Sequence, residues 1–264
     1  MSDYDIKQVV ICADDYALNA PVSQGIVALA VLGRVSAASV LSLSPRWVED
    51  AVALRDVRER LDVGVHLDWT SPFASTEGHG GRRSLVALRA MLRLYKQAEL
   101  VAEIERQLDA FEAQWQAPPD HIDGHQHIHG LPVFRDALAE ALLRRYGNAA
   151  HKPWLRSPPQ GDAALQAWTQ AHAWPTVGPL LGAYDFSGGE ANYARHMQGW
   201  LAQVPQAHPG LLMCNPGVSE QADDPLGATR KCEFAYLAGH DFVQHLVEAG
   251  VRVVRGSGKP IAPA

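Results

Sequence analysis

The chain has 264 residues, of which 47% are hydrophobic and 20% are charged, and its formal net charge is -6. A chain of this length and composition can bury a full hydrophobic core, and we expect residues 1–264 to form one domain, of a size typical of α/β barrels. The negative net charge and the absence of a run rich in lysine and arginine argue against nucleic acid or an anionic membrane surface as the main partner.

Three scattered cysteines, Cys12, Cys214 and Cys232, lack the even number and spacing of a disulfide framework and so favour a reducing compartment. The first five residues are acidic and precede a β-rich segment, a pattern typical of neither a signal peptide nor a transit peptide. No apolar stretch is long enough to cross a bilayer. These features predict a cytoplasmic location.

Short apolar runs rich in β-branched residues alternate with amphipathic segments in the first 70 residues. Such runs are typical of buried strands, and apolar spacings of three and four are typical of helices. In chain order, the pattern predicts a strand at 7–12, a helix at 22–32, a strand at 35–43, a helix at 48–61 and a strand at 62–67.

A Gly/Ser-rich loop at 71–83 comes next, and its His79, between two glycines, favours a mobile segment that covers a substrate. The following helix has apolar residues three and four positions apart, as one buried face requires. They are Val101, Ile104, Leu108, Phe111 and Trp115.

After a histidine-rich strand, the pattern predicts a helix at 133–146 that ends at Gly147, and strands at 211–214 and 251–254. The stretch from 152 to 189 is rich in Pro, Gly and Trp and gives no clear assignment. Strand-helix alternation of this kind predicts parallel strands, and at this length it favours their closure into a barrel.

Four of the twelve histidines lie within the nine residues from 121 to 129. Side chains of a strand alternate in direction, so in extended backbone Asp123, His125, His127 and His129 point the same way. With His121, which has the same alternation, four imidazoles would repel one another when protonated and would waste packing volume when neutral. Since imidazole is the commonest metal donor, the cluster predicts a metal site.

Other polar residues follow the ends of predicted strands. Asp14 and Asp15 follow the first strand, His66 and Asp68 end the third, and Asn215 follows a late one. Loops at the carboxyl ends of parallel strands form the active sites of α/β folds, so we expect these side chains to converge with the histidines.

Two adjacent aspartates can take different roles in metal-assisted hydrolysis. Nitrogen and oxygen ligands that leave coordination positions free let a divalent cation acidify water, and a second carboxylate then acts as base. Because successive side chains diverge, one aspartate can bind the metal while the other takes the proton. An Asp pair is also common as a helix cap or turn, so the pair alone does not decide its role.

Three motifs occur in order along nearly the whole chain. They are Ala13-Asp14-Asp15-Tyr16, Gly64-Val65-His66-Leu67, and Asp123-Gly124-His125-Gln126-His127-Ile128-His129 with Pro132. In these motifs the chain resembles the YdjC-type carbohydrate deacetylases, which include the chitooligosaccharide and hopanoid-associated deacetylases. The resemblance implies a distorted, TIM-barrel-like (β/α) barrel, a divalent metal ion and hydrolysis of an N-acetyl group on an amino sugar.

Carried onto this chain, the resemblance implies that Asp15, His66 and one histidine of the cluster bind the metal, with Asp14 as the catalytic base. We favour His125 as the third ligand and keep His127 as the alternative, because spacing does not separate them. We expect Mg²⁺ or Zn²⁺, although ligand identity alone does not select between metals. The resemblance also implies a homodimer.

Two positions depart from the family pattern. The family usually has Phe-Gly after the Asp pair, where this chain has Tyr16-Ala17, and alanine lacks the freedom of glycine at positive φ. A His-Pro-Gly motif is expected after a late strand, and Asn215-Pro216-Gly217 stands there instead. Asparagine donates a hydrogen bond but cannot shuttle a proton near neutral pH.

The predicted reaction is amide hydrolysis, in which Asp14 removes a proton from water and His127 or His129 protonates the departing amine. Two other functions fit the same residues. One is a different metal hydrolase, such as a phosphoesterase, and the other is a catalytically weak sugar-binding protein that lost its acid at Asn215. The substrate class would be an N-acetylated amino sugar, either a chitooligosaccharide or a lipid-linked N-acetylglucosamine.

Three residues are predicted to bind that substrate. Arg156 would reach the mouth and contact substrate oxygens, Trp69 would stack on a sugar ring, and Asn215 would donate a hydrogen bond. Arg230 and Glu233, which lie one helical turn apart, predict a structural ion pair.

Overall fold

The computed structural model describes residues 6–158 and 162–262. The first half of the chain alternates strands with helices, as predicted. Its elements are β1 (Lys7–Tyr16), α1 (Ala20–Val31), β2 (Ala37–Val40), α2 (Trp47–Arg55), β3 (Asp62–Leu67), α3 (Pro72–Thr76), α4 (Arg83–Met91) and α5 (Gln97–Trp115).

The second half continues the alternation with shorter strands. Its elements are β4 (His121–Gly124), α6 (Pro132–Tyr146), β5 (Trp154–Arg156), α7 (Ala163–Ala171), β6 (Thr176–Val177), β7 (Leu180–Leu181), α8 (Gly189–Gln203), β8 (Gly210–Cys214), α9 (Gly227–Ala238), α10 (His240–Glu248) and β9 (Val251–Val253). Within the described residues, no helix combines the length and apolar character needed to cross a membrane.

All strands pair in parallel in the order β6-β5-β4-β3-β2-β1-β8-β7, and β9 pairs with the start of β1. One short segment, residues 176–181, supplies both ends of that order: β6 pairs with β5, and β7 pairs with β8. The two edges of the sheet therefore meet, and the predicted α/β barrel is confirmed in a nearly closed form.

Alternation along β1 separates two packing layers. Val9, Ile11 and Ala13 belong to the large cluster formed with the surrounding helices. Val10 and Cys12 instead pack with residues of other strands in a small cluster that fills the barrel interior. By the same alternation Asp14 faces inward, above this cluster.

The histidine run is a strand only as far as Gly124, so the prediction of extended backbone was wrong for residues 125–129. Strand β4 ends at Gly124, whose partner Leu67 is the last residue of β3. Beyond Gly124 the chain has no neighbouring strand to pair with, and residues 125–130 form a 3₁₀ segment in which His127 has φ 61°. The imidazoles therefore point in different directions instead of forming a column.

The Gly/Ser-rich loop, predicted to be a mobile cover for the substrate, contacts its neighbours through a short helix and His79. It contains α3, capped by Ser71, and His79 is held on both sides. Its Nε2 lies 3.2 Å from the Asp68 carbonyl oxygen, and Arg106 Nη2 lies 3.3 Å from its Nδ1. These contacts fasten the loop to β3 and α5.

Candidate metal and catalytic site

A bulge at the end of β1 separates the side chains of the Asp pair. The pairing register of β1 with β2 shifts between Ala13 and Tyr16, and Asp15 has φ 67°. A non-glycine residue in this left-handed region is strained, and such strain concentrates at functional sites. As a result Asp14 meets Arg156, while Asp15 meets Arg230.

Two imidazoles converge on one oxygen of Asp15. Its Oδ1 lies 3.5 Å from His66 Nε2 and 3.7 Å from His125 Nε2. This oxygen is buried and has no hydrogen-bond partner among the described residues. A buried acceptor without a hydrogen bond is costly, so this oxygen is suited to hold a cation between itself and the two imidazoles.

The outer nitrogen of each imidazole is held by another side chain. His66 Nδ1 lies 2.6 Å from Asp123 Oδ1, and His125 Nδ1 lies 2.7 Å from Thr70 Oγ1. When His66 is neutral, the proton shared with the Asp123 carboxylate leaves its lone pair on Nε2, towards Asp15. Metal-binding histidines are oriented in this way by their second nitrogen.

The donor set fits a divalent cation. One carboxylate oxygen and two imidazole nitrogens are typical of catalytic zinc sites and leave coordination positions free. A cation held by Asp15, His66 and His125 would also satisfy the unpaired Oδ1. The geometry brings His125, and not His127, to the Asp15 carboxylate.

Electrostatics keep this carboxylate ionised. Burial alone would raise the pKa of Asp15, but the Arg230 guanidinium, 2.7 Å away, and the two imidazoles hold it well below its usual range. Burial would lower the pKa of His66, yet the Asp123 and Asp14 carboxylates outweigh it and raise that pKa to about 10. In the metal-free site His66 is therefore protonated, and a cation must displace that proton to bind.

The Asp14 carboxylate is fixed by a buried arginine. Arg156 is 0% exposed, and its Nη1 and Nη2 lie 2.7 and 2.5 Å from the two oxygens of Asp14. Its Nη2 also lies 2.5 Å from Asp123 Oδ2. Arg156 is thus enclosed between carboxylates, which corrects the prediction that it contacts substrate. A two-bond pair of this kind fixes the plane of the Asp14 carboxylate.

Two other buried groups contain candidate metal donors, one with Asp14, His66 and Asp123, the other with Cys12, His121 and Asp123. The Arg156 guanidinium contacts both, since it bonds Asp14 and Asp123 and lies 3.2 Å from Cys12 Sγ. Burial also raises the pKa of the Cys12 thiol, which keeps it protonated. A cation is therefore expected at Asp15 and not at either group.

The remaining histidines of the run lie at different depths. His127 lines the cleft, and burial, reinforced by Arg156, lowers its pKa to about 3. His129 is buried behind it, with Nε2 3.2 Å from the Arg156 carbonyl oxygen. Of the two predicted proton donors, the structure brings only His127 to the cleft.

Trp69 does not reach the cleft, contrary to the prediction that it stacks on a sugar. Its side chain is buried and packs edge-on against Phe134, with ring centroids 4.9 Å apart. Asn215 does line the cleft. Its backbone N–H donates to Glu233 Oε2 at 2.5 Å.

The predicted ion pair between Arg230 and Glu233 is wrong. Arg230 instead bonds Asp15 and Asp224, both at 2.7 Å. Glu233 accepts from the Tyr184 hydroxyl at 2.8 Å and from Asn215. Arg230 therefore neutralises the Asp15 carboxylate, while Glu233 supports the loop after β8.

A cleft of about 400 Å³ connects these groups to solvent. Its polar wall contains Asp14, Asp15, His66, His125, His127 and Asn215, and its rim includes Arg83, Tyr184, Phe186, Met213 and Leu226. A larger cavity of about 790 Å³, lined by Asp120 and Trp154 among others, lies near the amino ends of β4 and β5. The cleft is at the carboxyl ends, where barrels carry their chemistry.

The buried carboxyl of Glu233 should make the free energy of unfolding depend on pH. Burial raises its pKa to about 7 from the ordinary 4.5, so between these values the folded chain binds more protons than the unfolded chain. This contribution to stability is full below pH 4.5 and is lost as pH rises through 7. Glu233→Gln should remove that loss, a difference of about 3 kcal/mol between pH 4.5 and 8.

Urea unfolding of both proteins at the two pH values measures this difference. Glu220→Gln, at an exposed carboxylate on the surface, is the matched control and should retain the wild-type pH dependence. Parallel pH profiles for Glu233→Gln and the wild type would contradict the assignment.

Comparison with known proteins gives one family match: the model for the YdjC-like protein family matches residues 8–248. A carbohydrate deacetylase of Mus musculus is 27% identical over 257 residues, which span 91% of this chain and 76% of that protein. A chitooligosaccharide deacetylase of Enterobacter sp. (strain 638) is 26% identical over 144 residues, 53% of this chain and 57% of that protein.

Among solved structures, a protein of Enterococcus faecalis V583 with the provisional name cellobiose-phosphate cleavage protein superposes with a TM-score of 0.77. The two sequences are 21% identical, and the match covers 95% of this chain and 98% of that one. An uncharacterized protein of Agrobacterium tumefaciens C58 gives a TM-score of 0.61 at 11% identity, over 97% of this chain and 90% of that one. These likenesses establish a shared fold.

Proposed function

Because the chain belongs to the YdjC-like family, we propose that it is a metal-dependent hydrolase that removes the N-acetyl group from an amino sugar. The observation that carries the proposal is the buried, unpartnered Asp15 Oδ1 facing two imidazole nitrogens. The relatives named carbohydrate deacetylase support the substrate class.

Asp15, His66 and His125 would hold a divalent cation, Mg²⁺ or Zn²⁺. When bound, such a cation supplies an acidified water and polarises the acetyl carbonyl. The chain's own contribution is to keep Asp15 ionised through Arg230 and to aim His66 through Asp123. These contacts prepare the ligands before substrate arrives.

Asp14 is the proposed base. Its carboxylate lines the cleft beside Asp15, and the two bonds from Arg156 keep it from turning towards the cation. A carboxylate held in this way accepts the proton of the attacking water. Arg156 is a positioning residue here, because it acts through Asp14 and is not exposed to substrate.

His127 is the proposed donor to the departing amine. Its pKa of about 3 means that it enters the reaction neutral. Negative charge that develops on the acetyl oxygen raises the proton affinity of a nearby imidazole. His127 then takes the proton that Asp14 removed from water and passes it to the amine nitrogen, so that the amine leaves in neutral form and Asp14 is ionised again.

The substrate is an acetylated amino sugar, with a chitooligosaccharide and a lipid-linked N-acetylglucosamine as the two candidate kinds. Release of acetate from a panel of both kinds tests the proposal, with phosphate esters as the comparison. We expect acetate from at least one N-acetylated sugar and no phosphate release. Phosphate release without acetate would instead favour a phosphoesterase.

Substitution of Asn215 tests whether the chain is an active enzyme or a homologue weakened by the loss of a general acid. If His127 supplies the proton, Asn215→His should change acetate release by less than about tenfold, since the added imidazole duplicates an existing donor. A gain of about 10²-fold or more, the usual contribution of a general acid, would support loss of that acid. The measurement is turnover of parent and variant on the same substrate, with Asn192→His, on α8 and outside the cleft lining, as control.

A further inference from the structure

Helix α4 exposes most of its large apolar side chains. Leu85, Leu88 and Met91 recur at every third position on one side of the helix, and they continue into Leu92 and Leu94. These five residues, here the α4 face, are between 47% and 66% exposed. Only Val86 and Ala90 are buried within the helix, so a narrow strip attaches α4 to the barrel and its wide apolar side faces outward.

The same segment is strongly basic. Residues 78–98 contain no aspartate or glutamate. Their basic residues are Arg82, Arg83, Arg89, Arg93 and Lys96, all of them exposed. In the described part of the chain, Arg93 lies 3.8 Å from Asp136 and Lys96 lies 2.7 Å from Glu99, whereas the other three pair with no carboxylate. The local charge is thus opposite in sign to the net charge of -6.

The α4 face adjoins the cleft. Arg83, the first residue of α4, lines the cleft, and its Nε donates to the Gln126 carbonyl oxygen at 3.3 Å. Gln126 belongs to the segment that carries His125 and His127. Whatever covers the α4 face therefore lies beside the entrance to the candidate site.

We propose that the α4 face docks on an anionic membrane surface and that the cleft receives an amino sugar carried by a lipid of that membrane. Leucines interleaved with arginines on one side of a helix are the composition of segments that lie in the interface of a bilayer. Each basic residue close to anionic headgroups adds attraction. The net charge of the whole chain gave the opposite expectation, because an average over 264 residues hides one basic face.

A second copy of the chain fits this face less well. A twofold contact centred on this face would bring the basic residues of one copy, Arg82 and Arg89 among them, against the basic face of the other. Like charges brought together in this way oppose association, whereas an anionic surface neutralises them. The substrate part of the inference rests on the proposed function, but the docking part does not.

Sedimentation with lipid vesicles tests the docking without any assay of activity. The full chain should bind phosphatidylglycerol vesicles and fail to bind phosphatidylcholine vesicles. Arg82→Gln with Arg89→Gln should weaken binding about 25-fold, at about fivefold for each charge, and added salt should weaken it further. Equal binding to both lipids, or none to either, overturns the proposal.

The apolar part is tested by Leu88→Asp with Met91→Asp. The matched control is Val52→Asp, at a similarly exposed position on α2. We expect the first pair to abolish vesicle binding and the control to retain it, with unchanged melting temperatures. If the same pair instead dissolves a dimer in sedimentation analysis while vesicle binding is absent, the face joins two copies and the proposal is wrong. Vesicle binding with no acetate release from any sugar would refute the proposed function alone.

Discussion

Replacing Asp14 with asparagine should leave metal content unchanged and lower turnover by about 10²- to 10⁴-fold, the usual contribution of a general base. The amide keeps the shape of the carboxylate but cannot accept the proton of water. It also keeps one oxygen for Arg156, which lies 2.7 and 2.5 Å from the two carboxylate oxygens. Acetate release and elemental analysis of the purified variant measure the two effects.

Asp109→Asn is the control for this substitution, because its side chain is 69% exposed. It should match the wild type in both measurements. Undiminished acetate release by Asp14→Asn would exclude Asp14 as the base. Loss of metal from Asp14→Asn would instead show that Asp14 binds the cation together with Asp15.

Truncating each cleft histidine in turn should separate a metal ligand from a proton donor. His125→Ala removes an imidazole whose Nε2 lies 3.7 Å from the unpartnered oxygen of Asp15. We expect its metal affinity to fall more than 100-fold, beyond the 10- to 100-fold cost of losing an outer partner, and its turnover to fall with it. His127→Ala should keep the metal and lose turnover by about 10²-fold or more.

Titration with Zn²⁺ and acetate release, on both variants, give the comparison. His79→Ala, at a histidine held outside the cleft by Asp68 and Arg106, is the control and should bind metal normally. If His127→Ala loses the metal while His125→Ala keeps it, the third ligand is His127, and the assignment of the two roles is reversed.

Most of the fold could be predicted because its signals are local. The continuous apolar run of β1 arises from burial on both faces, and the three-and-four spacing in α5 arises from burial of one side; both patterns are legible in a single segment. Closure of the barrel was harder to predict in detail. The segment at 176–181 makes two-residue strands around the Gly178-Pro179 pair, too short for any periodicity.

The candidate site could also be predicted only in part. Asp14, Asp15 and His66 could be placed together because each lies at the carboxyl end of a strand, and parallel strands end at one edge. The course of the chain after Gly124 could not be predicted, because it depends on where the neighbouring strand β3 ends. The alternating histidines therefore indicated a strand, but after Gly124 the chain has no neighbouring strand with which to pair.

The charged partners of the site were also hidden from the sequence. Arg230 bonds Asp15 across 215 positions of the chain, and a helical spacing of three pointed instead to Glu233. The sequence placed Arg156 near the mouth, so we expected it to contact substrate. Its burial between Asp14 and Asp123 depends on how three strands pack together. Long-range pairing of this kind leaves no local pattern.

The position of a bound cation tests the central claim most directly. Crystals soaked in Zn²⁺ and measured at the zinc absorption edge should give one anomalous peak, about 2.0–2.2 Å from Asp15 Oδ1, His66 Nε2 and His125 Nε2. A peak between Cys12, His121 and Asp123, or one bound by His127, would contradict this account. So would the absence of any peak at Asp15 in a protein that binds zinc in solution.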